Sequence, residues 1–232
     1  MKELNLISAV ASLRAGGVIA YPTEAVWGLG CDPGHQMAVH ALLKLKQRPV
    51  EKGMILVAAE LQQLQGWAVL DALPDERQRE VLASWPGANT WILPAGPRAP
   101  KWVTGEHSGL AVRISAHPLV AALCRAWGGP LVSTSANLAG DPPARTRAEL
   151  DPRLLSLLDG LLDGDTGGLA QPTPIRDGLS GNVLRSWSAG AAAPDTARWG
   201  MRASPALLIV LLPVLAMAAP APPGPDRVRV FP

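Results

Sequence analysis

The chain has few of the residues that mark metal or redox proteins. It contains two cysteines, Cys31 and Cys124, and neither belongs to a Cys-x-x-Cys pair. This count excludes a disulfide framework and a cysteine-based zinc or redox motif. The four histidines show no metal-ligand spacing. We therefore expect reduced thiols, no protein-built metal site and a cytoplasmic location.

The two common glycine-rich nucleotide-binding signatures are also missing. There is no G-x-x-x-x-G-K-[ST] and no G-x-G-x-x-G, and the nearest glycine-rich stretch, 27–33 (WGLGCDP), fits neither. Any phosphate compound must therefore be held by other means.

Positive and negative charges are nearly balanced in the sequence. The chain has 21 Lys and Arg against 19 Asp and Glu, and four Arg and two Asp of these lie in 188–232. Residues 1–187 are therefore neutral overall, which argues against strong, sequence-independent nucleic-acid binding. Any anion site must be local.

The length and pattern of the chain indicate one α/β domain and a tail. The 232 residues are 48 % apolar, enough for a substantial core. Apolar runs typical of buried strands alternate with amphipathic helices through residue 133, which predicts an α/β sheet. Some linkers are too short for helical crossovers, so the sheet should be mixed. Within this pattern we expect a loop over 27–33 and a helix over 150–164.

The densest positive charge lies in 44–53 (KLKQRPVEKG). Lys46 falls near a helix end, and Arg48 and Lys52 follow in a loop. Three cations that converge there would suit the phosphates of a nucleotide and the charge that develops as it reacts. A lysine-rich helix C-terminus, favoured by the helix dipole, explains the same spacing.

Two other stretches place small polar side chains after predicted strands. In 131–143, Ser133, Thr134, Ser135 and Asn137 follow a strand, where they form either an anion cradle or an ordinary turn. Ser135 lacks the G-x-S-x-G context of a hydrolase nucleophile. Near the N-terminus, 21–28 (YPTEAVWG) presents a hydroxyl and a carboxylate, which suit a small amino-acid ligand or a Pro-Thr turn.

Taken together, five stretches closely resemble the YrdC-type threonylcarbamoyl-AMP synthases in their short, single-domain bacterial form. They occur in the same order and spacing, at 16–33, 42–59, 110–114, 117–124 and 130–143. The family signature K-x-R … K … S-x-N is present as Lys46, Arg48, Lys52, Ser135 and Asn137. The resemblance predicts a synthase domain over 1–187, folded as a single open, twisted α/β sheet flanked by helices, with a positively charged cavity.

The resemblance also implies an activity. Such an enzyme is a nucleotidyltransferase that combines L-threonine, bicarbonate and ATP into threonylcarbamoyl-AMP and pyrophosphate. Magnesium is expected to accompany ATP, and a partner complex then modifies tRNA. Two other classes stay open: a non-catalytic RNA-binding maturation factor, and an inactive scaffold for the modifying complex.

Residue roles follow from the same resemblance. Lys46, Arg48 and Lys52 would hold the ATP phosphates as catalytic cations, and Ser135 and Asn137 would complete the nucleotide cradle. We expect Arg48 to contribute little to stability, as a surface arginine. The threonine site would comprise Thr23, Arg113 (on the carboxylate), Ser133 and Thr173. Ala88, Asn89 and Pro174 depart from the family pattern and leave the local geometry, of Thr173 above all, open.

The last residues lie beyond the resemblance. We predict a linker over 188–200 and an apolar, signal-peptide-like tail over 201–232. Its apolar run is short of the roughly 20 residues of a spanning helix. A fused reading frame is the favoured explanation. An interfacial or membrane-anchoring tail and a packed addition are the alternatives.

Overall fold

A computed structural model describes residues 1–186. The predictions for the linker at 188–200 and the tail at 201–232 lie outside these residues. Within the described part, no helix is long and apolar enough to cross a membrane.

The strands of this part form one open sheet. They are β1 (Glu3–Leu4), β2 (Ile19–Pro22), β3 (Trp27–Gly30), β4 (Ile55–Ala58), β5 (Thr90–Pro94), β6 (Gly109–Ile114), β7 (Leu131–Ser135), β8 (Gly160–Leu162), β9 (Ile175–Asp177) and β10 (Val183–Arg185). Their order across the sheet is β1-β8-β2-β3-β7-β4-β6-β5-β9-β10. The pairs β1/β8, β2/β8, β4/β6 and β5/β9 are parallel, and the other neighbours are antiparallel. The predicted mixed sheet is thus confirmed.

Helices flank this sheet. They are α1 (Leu6–Arg14), α2 (Gln36–Leu45), α3 (Asp75–Ala83), α4 (Lys101–Thr104), α5 (Pro118–Trp127) and α6 (Pro152–Leu155). Strand residues alternate between two apolar clusters: in β4, Leu56 and Ala58 join one cluster, and Val57 joins the other. This period of two places a core on each face of the sheet. One core includes apolar residues of α2, and the other includes residues of α1 and α5.

The glycine-rich stretch expected as a loop is a strand instead. Trp27 and Leu29 of β3 are fully buried. A Cβ added at Gly30 would lie 2.7 Å from the Tyr21 ring and 2.6 Å from the carbonyl oxygen of Val132. Glycine is required there because an aromatic ring of the neighbouring strand lies against the backbone.

Two other expectations on local structure are wrong. The predicted helix over 150–164 shortens to α6, and Gly160–Leu162 becomes β8, a buried strand paired in parallel with both β1 and β2. Ser133 and Ser135 belong to β7 rather than to a turn after it. In both places sheet pairing outweighs local preference.

Candidate active site

Lys46 joins the end of α2 to the end of β7. It is the C-cap residue of α2. Its Nζ lies 2.8 Å from the carbonyl oxygen of Ser135, 2.5 Å from that of Asn137 and 2.9 Å from Asn137 Oδ1. An ammonium group has three N–H donors. These contacts therefore occupy all of its donors with oxygens of the predicted nucleotide cradle.

The cradle is further fixed by Asn137. Its Nδ2 donates to the carbonyl oxygens of Leu138 at 3.0 Å and Asp141 at 2.7 Å. The Asn137 backbone N–H donates to the carbonyl oxygen of Ser135 at 3.1 Å. The structure thus brings together Lys46, Ser135 and Asn137, as their shared signature predicts, in a turn whose shape is set by the protein itself.

Arg48 holds the loop that carries Lys52. Its Nε and Nη2 donate to the carbonyl oxygen of Gly53 at 3.1 and 2.9 Å, and Nη2 also donates to that of Lys52 at 3.1 Å. The expectation that Arg48 is a surface arginine is wrong, because the side chain is half-buried and bonded to main chain, and we therefore expect it to contribute to stability. Its planar fork suits two adjacent carbonyls as well as it suits phosphate oxygens.

The loop that carries Lys52 is also supported by backbone hydrogen bonds to residues 103–106. Glu106 N donates to the Glu51 carbonyl oxygen at 3.1 Å, and Met54 N donates to that of Val103 at 2.8 Å. Gly105 has a φ of 64°, and a Cβ on it would lie 2.3 Å from the Glu51 oxygen. Only glycine permits so close an approach in that conformation. Lys52 is thus presented on a well-supported turn.

The cations of the site influence one another electrostatically. Burial, and then the neighbouring Arg48, lower the pKa of Lys46 to about 8. Burial and then Arg185 lower the pKa of Arg48, while burial and then Arg113 lower that of Arg185. Like charges disfavour each other's charged form. Each of these cations therefore acts electrostatically on the next, in the order Lys46, Arg48, Arg185 and Arg113, and we call these four side chains the cation row.

Arg185 is a site residue that sequence reasoning missed. It lies in β10, at the opposite end of the domain sequence from Arg48 and far along the chain from Arg113. Its place in the cation row depends on the pairing of β9 with β5, a long-range contact that no local spacing encodes. The only available signal was its position near the end of the family resemblance.

The predicted threonine site is organised around Arg113. This residue of β6 is 7 % exposed, and its Nη1 donates to Thr173 Oγ1 at 2.8 Å. Thr173 Oγ1 also lies 3.2 Å from Thr90 Oγ1, and the carbonyl oxygen of Pro174 accepts from the Thr90 N–H at 3.1 Å. The Pro174 departure thus leaves Thr173 in contact with Arg113.

Thr23 and Ser133 connect this pocket to the cradle. Both are buried. Thr23 Oγ1 donates to the Val26 carbonyl oxygen at 2.7 Å, which closes the β2–β3 hairpin. Its Cγ2 is 3.0 Å from the Cβ position of Gly28, and Gly28 pairs with Ser135. Ser133, two residues before Ser135 in β7, follows Val132, whose carbonyl oxygen accepts from the Tyr21 hydroxyl at 3.3 Å. The amino-acid and nucleotide parts of the predicted site are therefore adjacent.

The sequence indicates Glu24 only as a carboxylate that suits a small amino-acid ligand, and the predicted threonine site does not include it. It is 5 % exposed, and its Oε2 lies 3.4 Å from Arg113 Nη2. Its Oε1 accepts from Ser115 Oγ at 2.7 Å. The YPTE stretch did show a carboxylate beside Thr23, but its proximity to Arg113 requires the folded sheet.

Carboxylates do not gather around the cation row. In residues 1–186 no three His, Cys, Asp or Glu side chains are placed to hold a metal ion. The donor set present, cations and backbone dipoles, suits phosphate oxygens rather than a bare divalent cation. These groups are chemically suited to bind anions, as the predicted nucleotide and threonine sites require.

A family match agrees with this chemistry. The family model Sua5_yciO_yrdC, described as "Telomere recombination", matches residues 11–186. The chain therefore belongs to the Sua5/YciO/YrdC family, which confirms the resemblance read from the sequence.

Curated relatives carry a more specific name. A protein of Stenotrophomonas maltophilia named threonylcarbamoyl-AMP synthase is 84 % identical over 186 residues, which are 80 % of this chain and 100 % of that protein. A protein of the same name from Xanthomonas euvesicatoria is 68 % identical over 182 residues, 78 % of this chain and 97 % of that protein.

Solved structures share the fold. P. abyssi Sua5 in complex with L-threonine gives a TM-score of 0.69 at 26 % identity, with 76 % of this chain and 53 % of that chain covered. This chain thus spans about half the length of that protein. E. coli YciO gives a TM-score of 0.68 at 27 % identity, covering 78 % of this chain and 88 % of that one.

Proposed function

We propose that the chain is a threonylcarbamoyl-AMP synthase that uses L-threonine, bicarbonate and ATP. One structural observation carries the proposal: Lys46 is bonded to the Ser135–Asn137 turn at the end of β7, and the buried Arg113 of the same sheet is bonded to the Thr173 hydroxyl. Phosphate and carboxylate are the two anions that such arginines recognise. The name shared by close relatives, and L-threonine in a related structure, support the same substrates.

The reaction needs no covalent enzyme intermediate. Bicarbonate takes up a proton and loses water to give carbon dioxide. The threonine ammonium releases a proton, the neutral amine adds to the carbon of carbon dioxide, and a second proton is released as the carbamate forms. A carbamate oxygen then forms a bond to the α-phosphorus of ATP, and the bond from that phosphorus to the bridging oxygen of pyrophosphate breaks. Catalysis is therefore positioning and charge stabilisation, which makes the enzyme a nucleotidyltransferase without a nucleophilic side chain.

The contacts divide the predicted roles of the cations. Arg48 keeps Nη1 for phosphate while its other nitrogens hold the Lys52 loop. Arg185 adds a charge beside it. Lys46 already donates to three protein oxygens, so we assign it to ordering the Ser135–Asn137 cradle and to supplying charge. Ser135 and Asn137 provide the walls of that cradle.

In the threonine pocket, Arg113 binds the substrate carboxylate, and Thr23, Ser133 and Thr173 surround it. ATP enters as its magnesium complex, because Mg²⁺ is commonly held through phosphate oxygens with few protein ligands. A separate complex receives threonylcarbamoyl-AMP and transfers its threonylcarbamoyl group to tRNA. The cytoplasmic location remains part of this proposal.

A direct assay tests the function. The protein is incubated with MgATP, L-threonine and ¹³C-bicarbonate, and the products are analysed by mass spectrometry. We expect threonylcarbamoyl-AMP one mass unit heavier than with unlabelled bicarbonate, and none when any substrate is omitted. Absence of product together with tight, salt-dependent RNA binding would favour the RNA-binding factor. Absence of both would favour the scaffold.

A further inference from the structure

Two oppositely charged groups in the Arg113 pocket each keep an unsatisfied atom. Glu24 and Arg113 are 5 % and 7 % exposed. Within residues 1–186, Glu24 Oε2 and Arg113 Nε have no hydrogen-bond partner. Native structures rarely leave buried polar atoms in that state, and those that do occur call for an explanation such as a ligand.

The contact between the two side chains does not satisfy these atoms. Glu24 Oε2 lies 3.4 Å from Arg113 Nη2, whereas a charge-assisted N–H···O bond is about 2.7–2.9 Å long. Each side chain is instead anchored by a hydroxyl. Ser115 Oγ donates to Glu24 Oε1 at 2.7 Å, and Arg113 Nη1 donates to Thr173 Oγ1 at 2.8 Å. Both side chains are therefore held in place, while Glu24 Oε2 and Arg113 Nε remain available to a ligand.

The backbone around Glu24 is fixed as well. The Glu24 carbonyl oxygen accepts from the Leu169 N–H at 3.0 Å, and Ser115 Oγ accepts from the His117 N–H at 3.1 Å. The carboxylate thus occupies one position before any ligand arrives. Such preorganisation is what a binding group needs to gain affinity without an ordering cost.

We propose that Glu24 binds the α-ammonium group of the amino-acid substrate while Arg113 binds its α-carboxylate. This inference rests on the proposed function, which supplies an α-amino acid as the ligand. A zwitterion carries one cation and one anion on neighbouring atoms, and the pocket presents an unpaired acceptor and an unpaired donor on neighbouring side chains. Glu24 is therefore a substrate-binding residue that selects amino acids over the corresponding hydroxy or simple acids.

A cycle of ligand and protein changes tests the assignment. Binding of L-threonine is compared with that of (R)-3-hydroxybutanoate, which keeps the carboxylate, hydroxyl and methyl groups but lacks the amine. Isothermal calorimetry is done at neutral pH, with and without MgATP, on the native protein and on Glu24→Gln. The amide retains an acceptor for Ser115 and removes only the charge. Glu60→Gln, at an exposed glutamate after β4, is the matched control.

We expect the native protein and Glu60→Gln to bind the amine-free acid at least about tenfold more weakly than threonine, and Glu24→Gln to show a difference of about threefold or less. If Glu24→Gln weakens both ligands by the same factor, Glu24 only positions Arg113 and the inference is overturned.

The native protein alone also decides the matter, should Glu24→Gln fail to fold. Equal affinity for threonine and (R)-3-hydroxybutanoate would overturn the ammonium site while leaving the proposed function intact. Failure of the native protein to bind threonine at all, with or without MgATP, would instead contradict the proposed function.

Discussion

The two halves of the site differ in how far the protein satisfies its own polar groups. In the nucleotide half, Lys46 donates to three oxygens, and Arg48 bridges two carbonyls. In the threonine half, Glu24 and Arg113 each retain a buried, unpaired atom among the described residues. The first half is built before ligand binding, as charge stabilisation of a transition state requires. On our proposal, threonine completes the second half by bonding these two atoms, and this gives the site its means to discriminate.

The largest effect is expected at Arg113. Arg113→Ala removes the carboxylate partner and leaves Glu24 charged and unpaired in a buried pocket. We predict that kcat/KM for threonine falls by about 10³-fold or more, because the substrate carboxylate then has no partner in a buried site built to bond it. The free energy of unfolding, measured in urea, should fall by about 3–5 kcal/mol.

A paired change separates these two consequences. Arg113→Met combined with Glu24→Leu removes both charges and should recover most of the lost stability but none of the activity. If the single Arg113→Ala variant is as stable as the native protein, Arg113 does not stabilise the buried charge of Glu24. The contrast drawn between the nucleotide half and the threonine half would then be wrong.

The next largest effect is expected at Arg48, in the nucleotide half of the site. Arg48→Ala removes three bonds to the Lys52 loop and one phosphate-facing nitrogen, and we predict a fall in kcat of about 10²–10³-fold at saturating ATP. Arg48→Lys keeps the charge but lacks the fork, so it should recover little. Hydrogen exchange of the 50–54 amides should speed up in both variants. Native turnover in a well-folded Arg48→Ala protein would refute the role.

Serine as a substrate tests how closely the threonine half of the site surrounds the substrate side chain. Serine keeps the ammonium and carboxylate that Glu24 and Arg113 recognise, and lacks only the methyl group. We expect kcat/KM for serine to be lower by about 10–200-fold, the usual worth of one methyl group in a close pocket. Competition between the two amino acids, with both products measured by mass, gives the ratio directly. Equal values would mean that no close pocket surrounds the side chain.

The charge state of Lys46 predicts a smaller, pH-dependent effect. Burial lowers the pKa of its ammonium group to about 8. Nearby phosphates favour the charged form and so raise this pKa when ATP binds. Binding therefore takes up a proton, and affinity for ATP should fall by about three- to tenfold as the pH rises from 7 to 9. Calorimetry in buffers of different ionisation enthalpy measures the uptake, and Lys46→Arg should abolish it. Proton release on binding would contradict the sign.

No effect on synthase activity is expected from removal of residues 188–232. Every residue assigned to chemistry lies between Thr23 and Arg185, and a relative of 84 % identity is matched over its whole length by 186 residues of this chain. The truncated protein should keep full synthase activity and be more soluble, as measured by initial rates and by sedimentation. Loss of activity would make the tail part of the domain. An active protein that moves from the membrane to the soluble fraction would establish an anchor.

The sequence predicts those parts of the site that are short-range or carried by a family signature. Lys46 and Asn137 could be paired because each follows a recognisable element, α2 or β7. The place of Arg185 and the contact of Glu24 with Arg113 could not be predicted, because these neighbours are set by the order of the sheet. The same limit applies to the fold. The glycines of β3 look like a loop until Tyr21 is placed against them, and β8 looks helical until it is paired between β1 and β2.

A crystal structure with threonine and a non-hydrolysable MgATP analogue tests the contrast between the halves most directly. We predict that Lys46 Nζ stays within about 3.2 Å of its three protein oxygens. We also predict that Glu24 Oε2 accepts a hydrogen bond from the threonine ammonium group and that Arg113 Nε donates one to the threonine carboxylate. The opposite result, with Lys46 moved from the cradle onto phosphate and Glu24 closed onto Arg113 without touching the substrate, would contradict it.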